Sequence, residues 1–243
     1  MTALIRIATR VLSLVRPCQA KGDIRYHING IRIEPNPAGG AIAVATDGRR
    51  MAVALDPKGE CLQPMTLALP DEAWRHCDKT TCDAIDGRQL VVRVDPTQAP
   101  TDDFGDLLCG PMLRGYSIEI AHAPLPQMRC WVAPEPRVAI IDGKFPDWRR
   151  VLPGTAEAWA ALGPAGTALN VQYVADLARM VPKKTVYGQA IRFWQAPMPV
   201  GETLNPGVVL VQFHDAPELV VAIMPMGRSC ELWKLPDFIE RAK

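Results

Sequence analysis

The chain has 243 residues, of which 48% are hydrophobic and 22% are charged, and its 27 Lys and Arg against 26 Asp and Glu leave a net charge of +1. This length fits one large domain or two small ones, and the apolar fraction excludes wholesale disorder. The near-neutral total excludes a protein that coats DNA by bulk positive charge, but not a local basic stripe. The 23 prolines exclude long uninterrupted helices and favour short strands with tight connections.

Cysteine usage indicates the redox compartment. The seven cysteines include no C-x-x-C pair, their number is odd, and no secretory signal precedes them, so we expect free thiols in a cytoplasmic protein. A zinc site at His76, Cys77 and Cys82 would need a fourth ligand and closer spacing, so we expect ordinary thiols, no metal and no other cofactor. No apolar run approaches the roughly 20 residues of a membrane span, which predicts a soluble protein without a membrane partner.

Residues 2–21 carry apolar side chains that fill one half of a helical wheel. Four cations fall on the other half, and no acid interrupts them before Asp23. The pattern predicts an amphipathic helix whose basic face is formed by Arg6, Arg10, Arg16 and Lys21. Such a face fits a solvated surface, an interfacial membrane helix or a helix that meets nucleic-acid phosphates, and the pattern alone leaves all three open.

Later segments repeat the order of one helix followed by antiparallel strands. Residues 70–77 and 170–181 have the patterns of two further helices. Asp47-Gly48 between two apolar runs predicts a tight hairpin. Strands are predicted at residues 24–28, 31–33, 41–45, 51–55, 89–94, 116–121, 129–132, 138–141, 190–195, 208–214 and 219–224. The three rounds predict an α+β fold built from an internal repeat of architecture.

Five segments of the chain match the motifs of one protein family, in that family's own order. Residues 44–53 fit the pattern A-T-D-G-x-R-L/M-A, and residues 141–153 fit V/I-D/E-G-x-F/Y-P-D/N-Y/W-x-x-V/L-I/L-P almost position for position. Both segments resemble the bacterial DNA sliding clamps, the β subunit family of DNA polymerase III. Residues 220–226 resemble the M-P-M ending of the clamps. Residues 170–177 are similar to the helix that opens the last half-domain, and residues 25–30 fit as well. A single Asp-Gly turn is common, but five ordered matches are not.

The resemblance implies clamp-like repeats amounting to about one and a half clamp domains. Residues 1–153 correspond to a complete middle domain, with halves at 1–66 and 67–153. Residues 154–226 correspond to the second half of the last domain, and residues 227–243 form a C-terminal extension. The extension fits two alternative roles. One is to cap an open sheet edge, and the other is to place the apolar side chains of its Leu-x-x-Leu-x-x-Phe motif in a peptide groove.

In the clamps, a groove between the middle and last domains captures short linear motifs of polymerases. The resemblance implies that this groove is lined by Ile28, Thr46, Gly48, Arg50, Met51, Pro153, Tyr173, Val208, Met224, Pro225 and Met226. The residue types suit this role, because Leu- and Phe-bearing peptides need an apolar cleft and Met side chains repack around different ligands. Arg50 is expected to meet a peptide carboxylate or carbonyl.

The resemblance also implies a surface for sequence-independent contact with double-stranded DNA. Its expected residues are Arg6, Arg10, Arg16, Lys21, Arg25, Tyr26, His27, Arg179, Lys183 and Lys184. Against this role, Asp71 and Glu72 open the second helix and would face phosphate, although acids at a helix start also have an ordinary capping role.

The function implied is that of a sliding-clamp-like processivity factor that oligomerises around DNA and binds polymerases and other replication proteins. A ring of six domains would need four such chains, and a clamp loader is a further expected partner. The alternative is a clamp-like adaptor or decoy that binds the same motifs without encircling DNA. No enzyme is expected, because the sequence has no Gly-rich phosphate loop or nucleophile elbow, and its four histidines are scattered.

Overall fold

Antiparallel strands dominate the computed structural model of the chain. It describes residues 2–77, 87–94, 102–104, 111–113, 116–122, 129–132, 140–153, 161, 163–164, 168–180, 190–195 and 207–226. The C-terminal extension 227–243 and the predicted DNA contacts Lys183 and Lys184 lie outside these residues. None of the helices within them is long and apolar enough to cross a membrane.

The helices of the described part are short, and most of its elements are strands. The strands are β1 Thr2–Ala8, β2 Ile31–Pro35, β3 Ala41–Thr46, β4 Arg50–Asp56, β5 Glu60–Cys61, β6 Met65–Leu67, β7 Arg88–Val94, β8 Asp102–Phe104, β9 Pro111–Leu113, β10 Tyr116–His122, β11 Arg129–Val132, β12 Ile140–Ile141, β13 Gly163–Pro164, β14 Ile191–Gln195, β15 Val209–Phe213 and β16 Ala216–Ile223. The α-helices are α1 Thr9–Val15, α2 Asp71–Cys77 and α3 Val171–Leu177, and the 3-10 helices are Arg16–Cys18, Tyr26–Ile28 and Trp148–Val151. This content agrees with the predicted α+β class.

Across the described part, the strands form two sheets. The smaller sheet has the order β11-β10-β7-β1-β5, and the larger has the order β13-β14-β15-β16-β4-β3-β2-β6-β12-β9-β8. In the larger sheet β4 and β16 pair antiparallel, with Met51 opposite Ala222 and Val53 opposite Val220. We call this pairing the β4–β16 seam. It joins the first part of the chain directly to the last.

The larger sheet is covered by apolar side chains on both faces. Successive residues of a strand point to opposite faces, and β3 illustrates the consequence. Ala43 and Ala45 belong to the main core together with α1, whereas Val44 between them belongs to a second apolar cluster. The second cluster comprises Val44, Met51, Phe145, Trp148, Leu210 and Ala222. It lies under the site described below.

The predicted helix over residues 2–21 is wrong for its first part. Thr2–Ala8 is a strand that pairs with β7 and β5, and α1 begins only at Thr9. Ile5 and Ile7 are fully buried with exposed Arg6 between them, which is the period of a half-buried strand. The helical wheel could not separate the two periods over so short a segment.

The predicted strand at residues 24–28 is also wrong. Tyr26–Ile28 form a 3-10 helix, and Ile24 is 93% exposed. Asn29 explains the difference, because its side chain accepts a hydrogen bond from the Asp23 N–H at 2.9 Å and donates to the Asp23 carbonyl at 2.8 Å. Such local side-chain bonds compete with strand pairing.

The remaining predicted elements are found, with shifted ends. The hairpin at Asp47-Gly48 joins β3 to β4, and α2 covers the predicted second helix. The third helix ends at Leu177 rather than at residue 181. The short strands β5, β6, β8, β9 and β13 were not predicted, because two or three residues are too few to show a period of two.

Candidate functional site

An apolar cavity of about 210 Å³ opens where the β3–β4 turn, the end of β16 and the 3-10 helix Trp148–Val151 meet. We call it the apolar groove. Its lining residues are Arg25, His27, Ile28, Thr46, Gly48, Arg49, Arg50, Met51, Pro146, Asp147, Trp148, Val151, Val208, Ala222 and Met224.

The floor of the groove is buried, and its rim exposes apolar side chains. Met51 and Ala222 are partners across the β4–β16 seam and are 5% and 2% exposed. Met224 and Val151 are 51% and 41% exposed. A buried apolar floor with exposed apolar edges is suited to receiving an apolar side chain from another molecule.

The β3–β4 turn shapes one wall of the groove through its own hydrogen bonds. The Thr46 hydroxyl accepts from the Gly48 N–H at 3.0 Å and donates to the Arg50 carbonyl at 2.8 Å. The Asp47 carboxylate accepts from the N–H groups of Arg49 and Arg50 at 2.9 and 3.0 Å. Gly48 has φ of +83°, a conformation that favours glycine. The sequence T-D-G-R-R therefore fixes this wall locally.

Arg50 is held by two carboxylates rather than left open to a ligand. Its Nε donates to Asp47 at 3.0 Å, its Nη1 donates to Asp176 at 2.6 Å, and its guanidinium lies 4.7 Å from the Tyr173 ring centroid. Burial alone would lower the pKa of Arg50, but the bonds to Asp176 and Asp47 and the nearby Cys18 reverse this and raise it. These two nitrogens are thus committed to linking α3 to the β3–β4 turn.

Trp148 lies in the groove and is positioned by Glu34. The Glu34 carboxylate accepts from the Trp148 indole N–H at 3.3 Å, from Arg149 at 2.7 Å and from Arg32 at 3.1 Å. The Arg149 guanidinium also stacks 4.1 Å from the Trp148 ring centroid. Burial tends to raise the pKa of Glu34, but these hydrogen bonds outweigh it and hold that pKa below its ordinary value. The carboxylate is therefore charged near neutral pH.

The cavity includes most of the residues expected from the resemblance. Those that line it are Ile28, Thr46, Gly48, Arg50, Met51, Val208 and Met224. Pro153, Tyr173, Pro225 and Met226 do not line it, and Tyr173 instead packs against Arg50. Sequence reasoning missed Trp148 and Val151, although both belong to the clamp-like stretch 141–153, from which only Pro153 was expected at the groove. Arg25 and His27 were expected at DNA but lie in the groove lining.

A second, polar cleft of about 710 Å³ lies on the other side of Arg50. We call it the polar cleft. Its lining residues are Ser13, Arg16, Pro17, Gln19, Ala20, Lys21, Asp47, Arg50, Asp176 and Arg179. Three of the cations expected at DNA, Arg16, Lys21 and Arg179, therefore lie together. Four cations against two carboxylates give the cleft a net positive charge, which suits an anionic ligand.

The basic face predicted for residues 2–21 is corrected by the ion pairs of its members. Arg10 lies 2.8 Å from Glu218, Arg6 lies 3.7 Å from Glu60, and Arg16 lies 3.5 Å from Asp71. The sequence shows no acid nearby because these carboxylates come from distant segments of the chain. The first segment is therefore not a wholly basic surface.

The Arg25 guanidinium is already hydrogen-bonded to neighbouring residues of the protein. Two Arg25 nitrogens, Nε and Nη2, bond the Asp23 carboxylate at 3.0 and 2.7 Å, and Nη2 also donates to the Asp47 carbonyl at 3.2 Å. The hydrogen bonds from Arg25 to Asp23 lower the pKa of that carboxyl to about 2. Tyr26 and His27 meet edge to face with ring centroids 5.8 Å apart. Arg25 is thus already neutralised where DNA contact was expected.

The described cysteines fit ordinary thiols. Cys18, Cys61 and Cys77 are free and buried, whereas Cys82 lies outside the described residues. Burial raises the pKa of Cys18 to about 12 and that of Cys61 to about 11. Over the part of the chain that the structure describes, no three His, Cys, Asp or Glu side chains come together in a group that could hold a metal ion.

The arrangement of these elements is similar to that of solved bacterial clamps. The DNA polymerase sliding clamp from Pseudomonas aeruginosa matches with a TM-score of 0.55 and 18% identity, over 92% of this chain and 66% of that chain. The β sliding clamp of C. crescentus matches with a TM-score of 0.56 and 18% identity, over 93% and 65% of the two chains. The DNA polymerase III β subunit of Thermotoga maritima matches with a TM-score of 0.54 and 13% identity, over 93% of this chain and 66% of that chain.

At the level of sequence, no family model and no curated protein matches the chain. The chain spans about two thirds of the length of the clamps it resembles. Its structural similarity to them extends over nearly all of its own length. The chain therefore has the fold of the bacterial DNA polymerase III β sliding clamps, over about two thirds of their length.

Proposed function

We propose that the chain is a sliding-clamp-like processivity factor that holds replication proteins through the apolar groove. The observation that carries this proposal is the groove itself, which is built by the three clamp-like stretches 44–53, 141–153 and 220–226. These stretches are far apart in the sequence, and the β4–β16 seam and the 3-10 helix Trp148–Val151 bring them to one cavity.

The ligand that suits the groove is a short linear motif with apolar anchors, as carried by DNA polymerases and other clamp-binding proteins. Full burial of one Leu or Phe side chain contributes about 1.5–3 kcal/mol. Two such anchors against Met51, Trp148 and Met224 would contribute about 3–6 kcal/mol, so the micromolar dissociation constant that we expect, about −8 kcal/mol, also needs contacts from the rest of the peptide. Four expected residues, Pro153, Tyr173, Pro225 and Met226, stay proposed as contacts outside the cavity.

The polar cleft is proposed to face double-stranded DNA. Arg16, Lys21 and Arg179 line the cleft, and we expect their contact to be with phosphates and therefore independent of sequence. The expected contacts at Arg6, Arg10, Arg25, Tyr26, His27, Lys183 and Lys184 complete the proposed set. A clamp of this kind would raise the effective concentration of the polymerase at its template rather than bind DNA tightly.

Encirclement of DNA would require several copies of the chain. The proposed division is a complete domain at 1–153, a half-domain at 154–226 and an extension at 227–243. Four chains of three halves would supply a ring of six domains through symmetric contacts. A clamp loader would be needed wherever such a ring is closed. Neither catalysis nor a cofactor is part of the proposal, and the proposed location is the cytoplasm.

The second candidate is an adaptor or decoy that binds clamp-binding motifs without encircling DNA. The ion pairs of Arg6, Arg10 and Arg16 favour it, because they reduce the free positive charge of the first segment. Both candidates use the apolar groove in the same way. They differ in DNA retention and in oligomeric mass.

Retention on DNA separates the two candidates. A clamp is expected to stay on nicked circular plasmid through gel filtration at high salt and to leave after the plasmid is linearised. Peptide binding without any retention on the circle would favour the adaptor. Light scattering at micromolar concentration is expected to give the mass of a tetramer for the clamp, and a monomeric mass would contradict the ring.

Peptide binding tests the groove directly. A fluorescent peptide with Leu and Phe anchors is expected to bind with micromolar affinity, and Met224→Asp is expected to abolish binding because the charge stands on the exposed rim. Leu62→Asp is the matched control, since Leu62 is also an exposed apolar side chain but neither lines the cavity nor belongs to the expected contacts. Equal binding by the wild type and Met224→Asp would contradict the site.

A further inference from the structure

We propose that the groove selects ligands that carry an acidic residue beside their apolar anchors, and that Arg49 recognises it. This inference rests on the proposed function of the apolar groove as a peptide site and adds the charge of the ligand. It follows from an account of every charged side chain in the groove lining.

Two of the three arginines in the lining are neutralised by the protein. Arg25 is paired with Asp23 at 2.7 Å, and Arg50 is paired with Asp47 and Asp176 at 3.0 and 2.6 Å. Their partners are within the same fold and are already hydrogen-bonded to them. A ligand carboxylate would have to displace these partners to gain either cation.

Arg49 differs from both. Its side chain is exposed, lines the groove and makes no ion pair with any residue in the described ranges. Its backbone is nevertheless fixed, because its N–H donates to the Asp47 carboxylate at 2.9 Å and its carbonyl accepts from the Met224 N–H at 2.8 Å. Within the described residues, Arg49 is therefore a cation without a carboxylate partner next to the exposed Met224.

The remaining charged residue of the lining is Asp147, and its position relative to Arg49 favours one orientation of the ligand. Asp147 is the carboxylate that lines the groove, and within the described part of the chain it also lacks an ion pair. It belongs to the element beside Trp148, whereas Arg49 belongs to the β3–β4 turn beside Met224. An acidic residue of the ligand is favoured next to Arg49 and Met224 and disfavoured next to Asp147. The ligand is expected to be oriented by this difference.

The effect on affinity is modest, as for an ion pair at an exposed rim. Pairs of this kind give coupling of about 0.2–1 kcal/mol, a factor of about 1.5 to 5 in affinity. Screening by salt should reduce the factor, because the Debye length falls from about 10 Å at 0.1 M to about 3 Å at 1 M ionic strength. Apolar anchoring provides most of the affinity, and Arg49 discriminates among apolar ligands.

The experiment compares peptides that differ only in charge. Each has the same Leu and Phe anchors, with Glu or Gln placed on the N-terminal or the C-terminal side of the anchors. Binding is measured by fluorescence anisotropy at low and high salt with the wild type, Arg49→Gln and Arg49→Lys. Arg75→Gln is the matched control, since Arg75 is an exposed cation of α2 outside the groove lining.

One of the two Glu positions is expected to bind the wild type about 3-fold more tightly than its Gln counterpart at low salt. The preference should disappear in Arg49→Gln, persist in Arg49→Lys and Arg75→Gln, and shrink at high salt. Equal binding of every Glu and Gln pair by the wild type, or a preference that survives in Arg49→Gln, would overturn the role of Arg49 while leaving the groove intact. Absence of binding by all the peptides would contradict the groove itself and this inference with it.

Discussion

The Arg50 guanidinium donates through Nη1 to the Asp176 carboxylate at 2.6 Å and so connects two residues 126 positions apart in the chain. Arg50 stands at the start of β4, and Asp176 is in α3. Asp47 binds the same guanidinium from the β3–β4 turn. Both Arg50 and Asp176 are mostly buried, at 13% and 21% side-chain exposure. The pair therefore fastens the last described helix to the turn that forms the groove wall.

Replacing Asp176 by Asn is expected to lower the free energy of unfolding by about 1–3 kcal/mol, because a hydrogen bond to a charged and mostly buried partner is lost. Urea denaturation followed by tryptophan fluorescence measures the change. Arg179→Gln is the control, since Arg179 also bonds Asp176 but is 78% exposed, and such a pair contributes less than about 1 kcal/mol. A smaller loss in Asp176→Asn than in Arg179→Gln would contradict this account.

Replacing Glu34 by Gln is expected to destabilise the fold near neutral pH and to weaken peptide binding, because Trp148 loses a charged acceptor. The pKa of Glu34 is lowered in the fold, so its contribution is full above the unfolded value of about 4.3 and is lost as pH falls through the folded value. The stability difference between wild type and Glu34→Gln should therefore shrink below about pH 4. Denaturation curves from pH 7 to pH 3 check this, and a constant difference would contradict it.

Replacing Gly48 by Ala is expected to destabilise the groove wall by about 1–2 kcal/mol, since a side chain at φ of +83° is strained. An added Cβ would also lie 2.7 Å from Nη1 of Arg25, although that flexible side chain can shift. Gly39→Ala is the control, because Gly39 has φ of +99° and nothing within 4 Å of an added Cβ. Thermal denaturation should show similar losses in both variants, and only Gly48→Ala should alter peptide binding.

Charge reversal separates the paired cations from those of the polar cleft. Lys21→Glu, at a cleft cation for which the described part of the chain shows no ion pair, is expected to weaken retention on circular DNA and to flatten its salt dependence, because phosphate contacts release counterions. Arg6→Glu and Arg10→Glu should have less effect, since these side chains already meet Glu60 and Glu218. Retention measured over a series of salt concentrations gives the salt dependence of DNA binding for each set of variants. Equal losses of DNA retention in the two sets of variants would contradict this distinction and would support the uniform basic face that the sequence predicts.

The sequence predicts the strands around the groove well, and the reason is local. Thr46, Asp47 and Gly48 close their turn with bonds among near neighbours, so a short pattern holds the needed information. The same applies to the apolar alternation of β4 and β16. The clamp-like stretch 141–153 locates Trp148, but its contact with Glu34 links residues 114 positions apart and leaves no local trace.

The errors concern contacts that a pattern along the chain cannot contain. Residues 2–8 satisfy a helical wheel and a strand period alike, and pairing with β7 decides between them. The charge of Arg10 is offset by Glu218, which lies 208 positions away. The loop at residues 23–29 departs from the predicted strand because Asn29 bonds back to Asp23. Tertiary partners, rather than propensity, determine each of these outcomes.

The β4–β16 seam has a consequence for the kinetics of ligand capture. Met51 and Ala222 are opposite each other in one hydrogen-bonded sheet, so the two sides of the groove floor cannot separate without breaking that sheet. Association with a peptide then needs no closing motion and is expected at about 10⁵–10⁷ M⁻¹s⁻¹, the ordinary range for docking to a preformed surface. Different ligands would be distinguished mainly by how long they stay bound.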